Sequence, residues 1–247
     1  MSLRGAAIVG ALLVATALAG CGTGDEAPGL IRPMPAQVAT PELERPPPPA
    51  PVSARLTRST MLRDAPGGRM LTGLTRRTEF DGASVLAVAR REGDWLGVRA
   101  PQRRDGKLGW IPADAAELER QPYRLRIDLS DRELVVVDTE DQEVVLRATV
   151  AVGRPGNDTP TGTFGVTDRI EPETDTGPYG CCILALSGRQ ANLPQGWGGG
   201  DRLAIHATSN EASVGTAAST GCLRATEETM RELMEIIPLG APVKIVD

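Results

Sequence analysis

From residue 52 onward the apolar residues come in short bursts, and polar turns cut most of them before a helix could be built around them. Val85-Leu86-Ala87-Val88-Ala89 runs into the turn Arg91-Glu92-Gly93-Asp94, and then come Trp95-Leu96-Gly97-Val98 and Leu108-Gly109-Trp110-Ile111-Pro112. Further on, Leu125, Ile127 and Leu129 alternate with polar residues. Leu134-Val135-Val136-Val137, Val144-Val145-Leu146 and Val150-Ala151-Val152 follow, divided by Ser130-Asp131-Arg132 and Glu140-Asp141-Gln142. Short β-branched runs between such turns read as strands. One segment breaks the pattern: Met230, Leu233, Met234 and Ile237 recur at the spacing of one helix face. Thr226 is its N-cap, Glu227 and Glu228 suit the positive N-terminal end, and Pro238 and Gly240 stop it. The expected fold class is mainly β, a small barrel followed by a β-rich second domain with at least one helix.

Charge divides this part of the chain. Residues 52–119 carry a formal +3 and residues 120–247 a formal −7, so the boundary is drawn near Arg120-Gln121-Pro122, with domains over 52–119 and 122–247. The whole chain sums to −5, which argues against a general binder of phosphate backbones. Aromatic residues are 3% of the chain, too few for a base-stacking platform, so no nucleic-acid partner is expected. A single histidine excludes a His-rich metal site.

Before residue 52 the chain has no core to build. Residues 6–19 are almost wholly apolar, follow Arg4, and are too short to span a bilayer. They fit the h-region of an export signal. The run ends in Leu18-Ala19-Gly20-Cys21, which resembles a bacterial lipobox. That resemblance implies removal of residues 1–20 and lipidation of Cys21, with the protein outside the cytoplasm and anchored to a membrane through its lipid. Residues 22–51 include Pro46-Pro47-Pro48-Pro49 and Pro51 and read as an extended, semi-rigid linker.

The chemistry concentrates in residues 153–224. His206 ends the run Leu203-Ala204-Ile205, and Cys222 lies in Ser219-Thr220-Gly221-Cys222-Leu223-Arg224. A thiol becomes a competent nucleophile when an imidazole takes its proton, so a Cys/His couple is a minimal acyl-transfer device. Gly221 permits a tight turn that turns backbone N–H groups toward a developing oxyanion. Cys181 and Cys182 are adjacent, which fits no common zinc spacing. They read as small buried or cleft-lining residues; a bond between them is possible but strained, and a bridge to Cys222 would silence it. No cofactor and no metal is expected.

Four segments taken in order carry a family resemblance: Gly153-Arg154-Pro155-Gly156, Thr159-Pro160-Thr161-Gly162-Thr163-Phe164, Ile205-His206, and Ser219-x-Gly221-Cys222-Leu223-Arg224. Together they resemble the L,D-transpeptidase catalytic domain of the YkuD type. The resemblance implies that Cys222 attacks a peptidoglycan stem peptide at diaminopimelate, expels D-Ala and forms a thioester. A second diaminopimelate amine then captures the acyl group as a 3→3 cross-link. It further implies His206 as general base and acid, Gly221 and the Cys222 N–H as oxyanion donors, and Ser219 as an orienting hydroxyl. Arg224, Tyr179 and Gly180 become substrate-binding residues. The family often has His where Thr220 stands, so His206 is the one imidazole available. In the first domain, Leu62-Arg63, Ala65-Pro66-Gly67-Gly68, Gly93-Asp94-Trp95-Leu96-Gly97-Val98 and Gly109-Trp110-Ile111-Pro112 resemble a bacterial SH3-like unit, a docking module or a spacer.

Two other readings stay open. The same thiol and imidazole serve an L,D-carboxypeptidase or other hydrolase if water takes the acyl group. A non-catalytic wall-binding lipoprotein is the third. A papain-like endopeptidase is disfavoured, because there the Cys precedes the His in the chain.

Overall fold

A computed structural model describes residues 49–103, 106–173, 177–193 and 200–247. Cys21, the expected export signal and nearly all of the Pro-rich linker lie outside these residues. Residues 46–247 fall in one compact unit. The boundary expected near residues 120–122 falls between two sheets within that unit.

The first sheet has seven strands: β1 (Val52–Leu56), β2 (Thr60–Arg63), β3 (Met70–Leu74), β4 (Val85–Glu92), β5 (Trp95–Arg99), β6 (Gly109–Pro112) and β7 (Ala116–Arg120). Their order is β3-β2-β6-β5-β4-β1-β7, antiparallel throughout. Leu62, Leu96, Val98 and Ile111 are fully buried and form its core. β6 carries Gly109 because a Cβ there would lie 2.4 Å from Leu62 Cδ1. These are the apolar bursts of the sequence, closed by the turns between them.

The second sheet is built from β8 (Tyr123–Asp128), β9 (Glu133–Asp138), β10 (Val144–Thr149), β12 (Gly162–Ile170), β13 (Ile183–Arg189), β14 (Arg202–His206), β16 (Leu223–Arg224) and β17 (Pro242–Val246). The order is β10-β9-β8-β17-β12-β13-β14-β16. β17 pairs parallel with β8, and β16 parallel with β14. A separate parallel pair joins β11 (Val152–Gly153) to β15 (Ala217–Ser219). Helix α1 (Glu227–Ile236) lies where the periodicity puts it. The Thr226 hydroxyl accepts the Thr229 N–H at 3.2 Å, and Met230, Leu233 and Met234 are buried against the sheet's core. Among the described residues the fold is mainly β with one α-helix, in line with the expected class.

The two sheets meet with their backbones close. A Cβ on Gly165 would lie 2.6 Å from Ala87 Cβ, and one on Gly240 2.3 Å from Ser53 Cβ. Gln121, between β7 and β8, is buried: its Nε2 donates to Ser53 Oγ at 2.7 Å and its carbonyl accepts the Thr139 hydroxyl.

Candidate active site

The turn before β16 brings Cys222 to the edge of β14. The register pairs Ile205 with Leu223 and His206 with Arg224. Alternation then puts His206, Ala204 and Arg224 on one face, with Cys222 beside Ala204. The Cys222 thiol donates to the Arg202 carbonyl at 3.7 Å, and the Ala204 N–H faces the sulfur. Cys222 is a free, half-buried thiol.

Two glycine-dependent contacts set this turn. Gly221 has φ +116°, and a Cβ there would fall 0.8 Å from Gln190 Nε2. The Gln190 carboxamide fills that space and donates to the Thr220 carbonyl at 2.7 Å. Ser219 is fully buried, and its hydroxyl accepts the Gly221 N–H at 2.9 Å. The Gly153 segment supports this from below: Gly153 pairs with Ser219, and Arg154 N–H donates to the Ser219 carbonyl at 3.0 Å. A Cβ on Gly153 would lie 2.3 Å from the Asn157 carbonyl oxygen, so the 153–159 turn closes only on glycine.

His206 is 3% exposed. Its Nδ1 lies 2.6 Å from the Ala207 carbonyl oxygen, which can only accept, so Nδ1 carries the proton and Nε2 keeps its lone pair. The Tyr179 ring meets the imidazole edge-on, with centroids 4.9 Å apart. Burial, with a smaller push from the Arg224 charge and against the Ala207 hydrogen bond, lowers the His206 pKa to about 4. Burial pushes the Cys222 thiol up, against the Ala204 N–H and the Arg224 charge. Near pH 7 the resting pair is therefore neutral thiol and neutral imidazole, not an ion pair. The thiol bonds to Arg202 rather than to His206 in this conformation.

Arg224 forms no ion pair with a carboxylate among the described residues, and its Nε is buried without a hydrogen-bond partner. That leaves its guanidinium charge unspent beside the thiol. The cavity over Cys222 holds about 160 Å³ and is walled by Phe80, Ile170, Tyr179, Ile183 and Ala204.

Three expectations are corrected. The Gly221 N–H is committed to Ser219 Oγ, so it is not a free oxyanion donor; this leaves the Cys222 N–H as the candidate. Gly180 is buried, with φ +60°, and a Cβ there would lie 2.6 Å from Ala207 Cβ. It holds the Tyr179 turn against the strand that ends in His206 and does not line the cavity. Cys181 and Cys182 are buried as expected, but they are bonded to each other, and neither is bridged to Cys222. Ser219 orients the turn through the backbone of Gly221. Sequence reasoning passed over Gln190, Arg202 and Phe80. None of the three sits in a motif, and only the paucity of Phe, two in the chain, marks Phe80.

The family model of the YkuD L,D-transpeptidase catalytic domain matches residues 122–245. The chain belongs to the YkuD L,D-transpeptidase family. It is 34% identical over 124 residues to YkuD of Bacillus licheniformis and 32% identical over 124 residues to YkuD of Bacillus subtilis. These matches cover 50% of this chain and 66% of each relative, just under two thirds of their length. YqjB of Bacillus subtilis is 30% identical over 145 residues, covering 55% of this chain and 77% of the relative. Among solved structures, an L,D-transpeptidase from Mycobacterium smegmatis is 18% identical, with 57% of this chain and 73% of that one covered and a TM-score of 0.39. One from Stackebrandtia nassauensis is 18% identical, with 52% and 57% covered and a TM-score of 0.38. The family membership rests on the sequence matches.

The buried imidazole makes a prediction about stability. With a folded pKa near 4 and an ordinary unfolded value near 6.5, the unfolded chain takes up a proton that the folded chain refuses between these pH values. His206 therefore contributes stability above pH 6.5 that is lost as pH falls toward 4. Urea unfolding at pH 7 and pH 5 should show wild type losing about 2 kcal/mol more than His206→Gln over that interval. An equal loss in both would contradict the burial of a neutral imidazole.

Proposed function

We propose that this protein is an exported, cysteine-dependent L,D-transpeptidase of the cell wall. The observation that carries the reading is a free thiol, Cys222, seated at the edge of the strand that ends in the chain's single imidazole, inside the segment matched by the family model. The substrate class is the tetrapeptide stem of peptidoglycan.

In this mechanism the thiol turns from the Arg202 carbonyl toward Nε2 of His206 and gives up its proton as sulfur attacks the carbonyl carbon of diaminopimelate. The Cys222 N–H stabilises the oxyanion. The bond from that carbon to D-Ala nitrogen breaks, His206 returns the proton to the departing amine, and a thioester remains. An amine of a second stem, deprotonated by His206, attacks the thioester. The C–S bond breaks, the sulfur is reprotonated, and the product is a 3→3 cross-link. Nothing in these steps needs a metal or cofactor. A neutral resting pair suits the first step, because no thiolate is held ready to react with other electrophiles. Arg224 supplies a cation for a substrate carboxylate, a role supported by the absence of a carboxylate paired with it among the described residues and by its unpartnered Nε. Tyr179 walls the cavity and packs the imidazole.

The anchor is proposed on the same terms. Cys21 carries the lipid, and the linker of residues 22–51 holds residues 52–247 away from the membrane toward the wall. The SH3-like reading of residues 52–119 is supported by the motifs around Trp95 and Trp110 and by the seven-stranded antiparallel sheet.

Intact-protein mass spectrometry with a stem tetrapeptide should show a mass increase on Cys222 equal to the peptide less D-Ala. Cys222→Ala should show none, and an adduct that survives in the variant sinks the assignment. With a second stem present, a cross-linked dimer supports transpeptidation, whereas free tripeptide alone moves the reading to a carboxypeptidase. For the anchor, Cys21→Ala should move the protein from the membrane to the soluble envelope fraction. Retention on the membrane would refute lipidation at that residue.

A further inference from the structure

One wall of the cavity over Cys222 does not come from the second sheet. The connection between β3 and β4 reaches across to β12, β13 and β14 and presents Phe80, which is 46% exposed and lines the same cavity as Cys222 and Tyr179. The turn that carries Phe80 is closely held. The Thr78 hydroxyl accepts the N–H groups of Phe80 and Gly82 at 3.3 and 3.2 Å and donates to Asp168 Oδ1 on β12, which uses its full capacity. Thr78 N–H closes the turn on the Gly82 carbonyl at 2.8 Å. Asp168 is 2% exposed.

The same turn grips Arg202, the first residue of β14. The Arg202 guanidinium pairs with Glu79, bonds the Thr167 hydroxyl and lies 3.6 Å from Asp168. Its Nε donates to the Leu186 carbonyl at 3.1 Å, and the cation stands 5.6 Å from the Phe80 ring centre. Arg202 is also the residue whose carbonyl accepts the Cys222 thiol. The tripeptide Thr78-Glu79-Phe80 thus touches the site twice, through an apolar wall and through the residue that seats the nucleophile.

We propose that the first sheet completes the active site, with Phe80 forming the apolar wall that binds the hydrocarbon side of the donor peptide opposite Tyr179. This rests on the stem-peptide reading given above. The chemistry fits: the methylene chain of a diaminopimelate residue and the methyl of D-Ala are the apolar parts nearest the scissile bond. A flat ring backed by a cation over its face is a rigid surface for them. Phe80 binds the peptide, and Arg202, held by Glu79 and Asp168, backs its ring.

The test uses the protein as the cell exports it, bearing Cys222→Ala, which binds a stem tetrapeptide without turning it over. Calorimetric titration should show Phe80→Ala weakening the peptide about tenfold, with Phe80→Trp restoring affinity to within about threefold. Phe80 is half exposed, so its removal leaves the cores intact. Leu118→Ala, which trims a comparably exposed apolar residue on β7, should leave affinity within about twofold. Equal affinity with and without Phe80 overturns the inference. Acylation of wild type by the same peptide is read separately. A thioester on wild type together with indifference to Phe80 overturns the inference alone, while no thioester on wild type overturns the proposed function and this inference with it.

Discussion

The site depends on two rungs of parallel pairing, Ile205 with Leu223 and His206 with Arg224. Without them Cys222 would sit in a loop with no fixed relation to the imidazole. A two-residue strand has little stability of its own, so its position has to be imposed by its neighbours. The imposing contacts are the Gln190 carboxamide where Gly221 has no Cβ, the Ser219 hydroxyl on the Gly221 N–H, and the Arg154 N–H on the Ser219 carbonyl. Each uses a buried polar group that would otherwise be unsatisfied, which makes the arrangement costly to distort.

Burial then sets the electrostatics. The same enclosure that fixes His206 between Tyr179 and the Ala207 carbonyl disfavours its cation, and it disfavours the Cys222 anion as well. Arg224 acts on both groups, in the direction of a neutral imidazole and an easier thiolate, so its charge couples His206 and Cys222 without touching either proton. The connection between β3 and β4 reaches this region through Glu79, which pairs with Arg202, and Phe80, which lines the cavity over Cys222.

Local signals in the sequence were enough for the parts that are held locally. Helix α1 follows from its apolar spacing, its Thr226 cap and its Pro238 stop, all within a dozen residues. Most strands follow from short β-branched runs between polar turns. Cys222 and His206 stand out because their flanks form an ordered motif. What stayed hidden is non-local or directional. Gln190 looks ordinary until its carboxamide is found in the space left by Gly221. Glu79 and Arg202 meet across 123 residues of chain, a contact no window of sequence contains. The Gly221 N–H was expected to face an oxyanion, but turn geometry points it at Ser219. Spacing alone does not decide whether adjacent thiols such as Cys181 and Cys182 bond to each other.

The buried imidazole, neutral and protonated on Nδ1, ends the strand whose edge carries the Cys222 turn. Because the chain has a single histidine, nitrogen NMR of 15N-His-labelled protein reads it without overlap. The expected spectrum is that of a neutral ring at pH 7 with the proton on Nδ1, titration near pH 4, and a shifted Nε2 resonance once Cys222 is acylated. A ring that titrates near pH 6.5 and ignores acylation of Cys222 would contradict it.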